Sequence, residues 1–269
     1  MTNCKGCWWY GQPIECPANF DIDTKECKNF KSKDVHSTER GCAVNIVYNI
    51  DCMRGMCDFP DKYFDLAVVD PPYFSGPERR AYYGSNVSTT RVERKRYPVC
   101  ERWEVPGKDF FDELIRVSKN YIVFGCNYFD YVFAHGRIVW DKCNGASTFS
   151  DCEIAATNCH DSVRLFRYMW NGMMQGKSIE EGHIAQGNKA LNEPRIHVTQ
   201  KPTNLYRWIF GKYAKPGFKI LDTHVGSGTS RRAAYDFGLD FVGFEINEEY
   251  FELQEKAFAD YTSQLRMEL

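Results

Sequence analysis

Short apolar runs and amphipathic segments alternate along most of this chain. Runs rich in β-branched and aromatic residues predict strands at 44–50, 63–69, 121–125, 137–140, 163–170, 218–221 and 241–244. Apolar residues spaced three or four positions apart predict helices at 109–118, 204–213, 229–237 and 248–261. Strands separated by helices are typical of parallel βαβ units, so we expect an α/β fold whose sheet is covered on both faces.

Two segments lack this periodicity, residues 74–106 and residues 171–196, and loops of such length in a domain are usually functional. The chain has a formal net charge of −2, so binding to a polyanion requires a local basic patch. Residues 74–102 contain seven basic against three acidic side chains, with three tyrosines among them. This mixture suits phosphate contacts and base stacking. A solvated loop remains the alternative.

The first 40 residues differ from the rest because they are polar and contain four of the chain's 12 cysteines, Cys4, Cys7, Cys16 and Cys27. Four thiolates are a common ligand set for structural zinc, and the spacing of Cys4 and Cys7 suits it. Four ordinary reduced cysteines remain an equal alternative. No apolar stretch follows a basic start, so we expect no signal peptide and a cytoplasmic chain without a membrane span.

A tetrad of unusual chemistry follows the predicted strand at 63–69. Asp70, Pro71, Pro72 and Tyr73 place a carboxylate, a rigid turn and an aromatic face in fixed order at the end of a buried strand. A proline-locked loop with Asp as a turn residue is the alternative interpretation.

A second loop of interest follows the predicted strand at 218–221. Asp222 precedes Gly226, Gly228 and Thr229, and Glu245 ends the next strand 19 positions after Gly226. That spacing is typical of an acid that holds the hydroxyls of a ribose. A phosphate would be repelled by Asp222, whereas a nucleoside that carries an amino acid, such as S-adenosylmethionine, would offer its ammonium group to this acid.

Together these blocks resemble the amino-methylating DNA methyltransferases of the β order, in which the Asp-Pro-Pro-Tyr motif precedes the glycine motif. The resemblance extends over about residues 43–260 and is strongest to small adenine-N6 enzymes of phages and prophages. It rests on several separated blocks in the family's order: residues 49–52, 70–73, 122–129, 138–142, 166–172, 197–202 and 220–250.

The resemblance implies a Rossmann-like class I methyltransferase fold with circularly permuted motifs, covering residues 41–269 behind a Cys-rich module at 1–40. It implies transfer of a methyl group from S-adenosylmethionine to the N6 amine of a flipped adenine in DNA. The implied catalytic residues are Asp70, Pro71, Pro72 and Tyr73. The implied cofactor contacts are Asp51, Cys52, Lys201, Asp222, Gly226, Gly228, Thr229 and Glu245.

The function has two open alternatives, a cytosine-N4 DNA methyltransferase and a catalytically silent relative that binds nucleic acid. Cytosine-N4 enzymes more often carry Ser at the position of Asp70, which favours adenine. The segments 74–106 and 171–196 would face the substrate in either enzyme. The oligomeric state is open between a monomer and a homodimer.

Overall fold

A computed structural model describes residues 20–21, 26–27, 43–73, 97–98, 103–145, 150–171 and 174–263. The helices are α1 (Cys52–Met56), α2 (Lys108–Val117), α3 (Thr203–Tyr213), α4 (Thr229–Asp236) and α5 (Glu248–Ser263). The strands are β1 (Phe20–Asp21), β2 (Glu26–Cys27), β3 (Asn45–Tyr48), β4 (Phe64–Val69), β5 (Ser118–Phe124), β6 (Gly136–Asp141), β7 (Cys152–Thr157), β8 (Val163–Arg167), β9 (Trp170–Asn171), β10 (Met174–Gln175), β11 (Lys219–Asp222) and β12 (Asp240–Phe244).

Eight strands form one sheet in the order β3-β12-β11-β4-β5-β7-β6-β8. The first five strands in this order are mutually parallel, and β7 runs antiparallel to both of its neighbours. The predicted α/β class is therefore confirmed. The predicted strands and helices all appear, with bounds that differ by one to three residues.

The sheet separates two apolar cores, because successive residues of a strand point to opposite faces. In β4, Leu66 and Val68 face one core while Ala67 and Val69 face the other. Helices α3 and α4 cover the first face, and α2 covers the second with the side chains Phe110, Phe111, Leu114 and Val117. A sheet buried on both faces explains why β4 is a nearly continuous apolar run.

The order of the strands in space differs from their order in the sequence, and this difference creates the site. Strands β4 and β11 are adjacent and parallel, with Leu66 opposite Ile220 and Ala67 opposite Leu221. Parallel strands end at the same edge of a sheet, so the segments that follow β4 and β11 emerge side by side. The glycine motif after β11 therefore lies beside the Asp-Pro-Pro-Tyr motif, which precedes it in the sequence.

Neither β7 nor the five-residue helix α1 is predicted by the periodicity of the sequence. Strand β7 contains Cys-Glu-Ile-Ala-Ala-Thr, and alanine and glutamate are weak strand formers. Its burial between β5 and β6 supplies what local propensity lacks. The predicted irregular segment 171–196 contains, among its described residues, the last residue of β9, β10 and a short 3-10 turn at Lys189–Leu191.

The division into a module at 1–40 and a domain at 41–269 stays a prediction. Of the first 40 residues only the antiparallel pair β1 and β2 is described, with Phe20 opposite Cys27. Cys4, Cys7 and Cys16 lie outside the described residues, and so does the side chain of Cys27. Most of the basic segment 74–102 also lies outside them. None of the helices within the described ranges is long and apolar enough to cross a membrane.

Candidate active site

The candidate site lies at the sheet edge where β4 and β11 end. Asp70 follows Val69 directly, and Asp222 is the last residue of β11. The register of the two strands brings Asp70–Tyr73 next to the loop from Asp222 to Gly228, although about 150 residues separate them in sequence. Open α/β sheets usually bind ligands at the carboxyl ends of their strands.

Asp70 belongs to a cluster of four charges, of which Lys201 is buried and the other three are half-buried. Its Oδ2 atom forms an ion pair with the Nζ atom of Lys201, whose side chain is only 2% exposed. Lys201 also reaches Glu153 Oε2 at 3.0 Å, and Glu153 Oε1 pairs with the Nζ atom of Lys142. Among the described residues, the second oxygen of Asp70, Oδ1, is buried without a hydrogen-bond partner. An unsatisfied buried acceptor is costly and points to a ligand that donates to it.

The electrostatics of this cluster depend on all four charges. Burial raises the pKa of Asp70, the charge of Glu153 raises it further, and Lys201 opposes both effects. Burial alone would raise the pKa of Glu153, but Lys201 and Lys142 outweigh burial and lower it to about 2. The two carboxylates in turn raise the pKa of Lys201 despite its burial. Two carboxylates and two ammonium groups thus balance each other inside the protein.

The Tyr73 ring is held from several sides. It stacks on the ring of Tyr128 with centroids 5.0 Å apart and 16° between the planes, and its hydroxyl donates to Glu153 Oε2 at 3.2 Å. Gly125 has φ +71°, and a Cβ atom added to it would come within 2.3 Å of Tyr73 Cδ1. Only glycine satisfies both the backbone conformation and this close approach.

The glycine loop between β11 and α4 contains two residues with left-handed backbone conformation. Gly226 has φ +53°, and Gly228 has φ +70° at the N-cap of α4, whose first residue is the buried Thr229. Glu245, at the end of β12, accepts a hydrogen bond from the backbone N–H of Gly226 at 2.8 Å. Its other oxygen accepts from Asn247 N, also at 2.8 Å.

Asp222 is the second carboxylate at this loop. Its oxygens accept hydrogen bonds from His224 N at 3.0 Å and from the Ser230 hydroxyl at 2.5 Å. Burial raises its pKa to about 7. Neither Asp222 nor Glu245 forms an ion pair with another described residue. Two buried carboxylates without a cation favour a ligand with a positive charge and hydroxyl groups, and disfavour a phosphate. S-adenosylmethionine fits these requirements.

Asp51 and Cys52 lie at the same edge, where β3 ends. The side chain of Asp51 caps α1 by accepting from Met53 N at 2.9 Å and Arg54 N at 3.2 Å. The neighbouring Asn49 donates to the backbone carbonyl of Glu245 at 2.8 Å, which ties this turn to the end of β12. All the predicted cofactor residues except Lys201 therefore surround the ends of β3, β11 and β12. Lys201 instead contacts Asp70 and Glu153.

Sequence reasoning assigned no role to Glu153, Lys142 or the two histidines near the glycine loop. His197 packs on Tyr250 with ring centroids 4.2 Å apart, and His224 lies against Phe110 at 5.6 Å. Burial lowers the pKa of both histidines to about 4, so they stay neutral at physiological pH. Lys142 belongs to a sequence block shared with the methyltransferase family, which could have drawn attention to it. Glu153 lies in β7, a strand that the sequence did not predict, so its position beside Lys201 is seen only in the folded structure.

The sheet topology and the two loops at its edge belong to one architectural class. The mostly parallel sheet, with a glycine loop and an Asp-Pro-Pro-Tyr turn at one edge, fits the Rossmann-like class I methyltransferase fold that the resemblance implies. No cluster of potential metal ligands occurs among the residues that the structure describes. The predicted zinc site lies outside these residues and stays a prediction.

Matches to known protein sequences agree with this class. Residues 160–256 match the family model described as DNA methylase. The chain is 22% identical to Type II methyltransferase M.HinfI of Haemophilus influenzae, over 79% of this chain and 68% of that protein. It is 24% identical to Type II methyltransferase M.BglII of Bacillus subtilis, over 78% and 68% of the two chains. The crystal structure of the M1.HpyAVI–SAM complex is 15% identical with a TM-score of 0.47, covering 78% of this chain and 97% of that one.

The DNA methylase family model covers residues 160–256, and the type II methyltransferase relatives match 78–79% of the chain. The resemblance stated from the sequence is thereby confirmed, and so is the expected class of activity, methylation of DNA. The roles of the individual site residues stay predictions.

Proposed function

We propose that this protein transfers a methyl group from S-adenosylmethionine to the N6 amine of adenine in DNA. One observation carries the proposal. The buried Oδ1 atom of Asp70, which has no partner among the described residues, lies at the same sheet edge as the glycine loop and its two carboxylates. An acceptor for an amine and a pocket for a cationic nucleoside thus adjoin each other.

The amine of adenine is a weak nucleophile because its lone pair is delocalised into the ring. Asp70 Oδ1 and the Pro71 carbonyl would accept its two hydrogens and so favour the tetrahedral nitrogen. Bound S-adenosylmethionine supplies a methyl group on a sulfonium. As the nitrogen lone pair bonds to that carbon, the carbon–sulfur bond breaks and its electrons stay on sulfur. The acceptors stabilise the positive charge on nitrogen, and the excess proton then passes to water.

The tetrad's other residues would orient the base. Pro72 limits the backbone freedom of the turn, and the Tyr73 ring offers an aromatic surface for stacking. A base within a duplex cannot reach this edge, so the adenine has to be flipped out, which costs a few kcal/mol of unstacking. We expect the basic segment 74–102 to hold the DNA backbone, and the cytoplasm, where DNA is available, to be the site of action.

The cofactor contacts follow the geometry of the edge. We assign the ammonium group to Asp222, the ribose hydroxyls to Glu245, and the methionine chain to Gly226, Gly228 and Thr229. The adenine ring would lie by Asp51 and the Cys52 backbone. Lys201 already pairs with two carboxylates, so we assign it to Asp70 in place of the cofactor carboxylate that the sequence suggested.

The assignment is tested by Asp70→Ala, with Asp61→Ala as a control. The Asp61 side chain is 77% exposed and lies in an ion pair with Arg116, away from the site. Transfer of radiolabelled methyl groups to DNA should disappear in Asp70→Ala, while cofactor binding measured by calorimetry stays near the wild-type value. Asp61→Ala should behave as wild type in both assays. Retained transfer by Asp70→Ala would reject the proposal.

A further inference from the structure

Glu153 contacts three members of the catalytic edge at once. Its Oε2 atom accepts from Lys201 at 3.0 Å and from the Tyr73 hydroxyl at 3.2 Å, while Oε1 pairs with Lys142. Its side chain is 17% exposed. Strand β7 carries it, and the pairing of β7 with both β5 and β6 fixes its position.

These contacts determine how Asp70 is oriented. Lys201 bridges the two carboxylates, with one interaction to Asp70 Oδ2 and one to Glu153 Oε2. A lysine held at a second anchor cannot rotate freely, so it holds the Asp70 carboxylate through one oxygen and leaves the other oxygen available. That other oxygen is Oδ1, which has no partner among the described residues.

We propose that Glu153 is a positioning residue for methyl transfer, which anchors Lys201 and the Tyr73 hydroxyl so that Asp70 Oδ1 and the Tyr73 ring meet the target base in fixed geometry. This inference rests on the proposed function. Glu153 does not touch the reacting atoms, and acts through its two neighbours. A misplacement of about 1 Å can cost about a hundredfold in rate, so its loss should lower turnover.

The charges around Asp70 also determine the pH at which it ionises. The Asp70 carboxylate accepts from the amine more strongly than the neutral acid does, so the fall of kcat at low pH (the acid limb), measured at saturating cofactor, follows the pKa of Asp70. Besides burial, Glu153 raises this pKa, whereas Lys201 and Lys142 lower it. Among the described residues, the titratable groups that face Asp70 are Lys201, Glu153, Lys142, Tyr73, Tyr206 and Asp222. The tyrosine pKa values are raised, so these phenols stay neutral across the acid limb.

Two substitutions in this cluster should therefore shift the pH at which kcat falls (the acid limb) in opposite directions. Glu153→Gln removes a negative charge, so the acid limb should move to lower pH. Lys201→Met removes a positive charge, so the acid limb should move to higher pH. Lys142→Met removes a charge from the less buried side and should also move the limb upward, which keeps the test available if Lys201→Met fails to fold. If the substitutions acted only by disturbing the packing, the acid limbs of all three variants would shift in the same direction or stay unchanged.

The experiment measures kcat and the cofactor KM against pH for wild type and the three variants. The matched control is Glu113→Gln, because Glu113 is also 17% exposed and ion-paired, but to Arg116 on α2. We expect kcat of Glu153→Gln to fall about ten- to a hundredfold with the cofactor KM unchanged. Carbon-13 NMR of labelled aspartate, with Asp70 assigned through Asp70→Asn, should give the same opposite shifts in titration midpoint.

The outcomes distinguish the positioning role from the function on which it rests. A wild-type protein that transfers no methyl group would refute the proposed function. An active wild type whose Glu153→Gln variant keeps full kcat would overturn only the positioning role. That role would also be overturned if the acid limbs of the Glu153 and Lys201 variants shift in the same direction.

Discussion

The substitution Gly125→Ala tests whether the position of the Tyr73 ring controls the rate. Gly125 has φ +71°, a conformation that costs an L-residue roughly 1–2 kcal/mol. The new Cβ atom would also come within 2.3 Å of Tyr73 Cδ1. Carbon atoms in contact prefer a separation of about 3.5 Å, so the ring has to move by about 1 Å. A displacement of about that size predicts a loss of about a hundredfold in kcat.

The control separates backbone strain from displacement of the ring. Gly217 has φ +80°, and no atom lies within 4 Å of a Cβ atom added there. Gly217→Ala therefore introduces the same kind of strain without a clash. Single-turnover methyl transfer and urea unfolding would be measured for both variants. Gly217→Ala should lose roughly 1–2 kcal/mol of stability, Gly125→Ala should lose more because the clash adds to the strain, and only Gly125→Ala should lose activity. A folded Gly125→Ala within threefold of wild type would show that the position of the ring does not limit the rate.

Three further predictions concern the cofactor, the core and the DNA. Burial raises the pKa of Asp222 to about 7, and Asp222 must be ionised to bind an ammonium group. Cofactor affinity measured by calorimetry should therefore fall about tenfold per pH unit below 7. The Asp222→Asn variant should lose this pH dependence. Gly55→Ala places a Cβ atom 2.3 Å from the buried Phe244 ring, so urea unfolding should show a loss of roughly 1–3 kcal/mol, and an unchanged midpoint would contradict the packing. Alanine at Arg94, Lys95 and Arg96 should weaken DNA binding and flatten its dependence on salt, whereas an unchanged slope would exclude these residues as phosphate contacts.

Much of this fold is predictable from the sequence because its signals are local. Strand β4 is a continuous apolar run that ends at Asp70, and the loop after β11 contains the glycines that its φ values require. The carboxyl ends of neighbouring parallel strands lie at the same edge of a sheet. The convergence of Tyr73 and Gly226 therefore followed once both strands were placed in one sheet.

The charge cluster was not predictable in the same way. Glu153 lies in a strand of low β propensity, and its importance depends on pairing with β5 and β6 rather than on neighbouring residues. The sequence also could not show which partner Lys201 binds, because a lysine before a helix can pair with nearby carboxylates of the protein or with the carboxylate of a ligand. Its ammonium group lies between Asp70 and Glu153, which the pairing of β4, β5 and β7 brings together.

The sharpest test of the mechanism is mass spectrometry of the nucleosides released from DNA after incubation with the protein and S-adenosylmethionine. The mechanism predicts N6-methyldeoxyadenosine with the wild-type protein and none with folded Asp70→Ala. Detection of N4-methyldeoxycytidine alone would contradict the choice of adenine. A folded wild-type protein that binds the cofactor and leaves every nucleoside unmodified would contradict the whole mechanism.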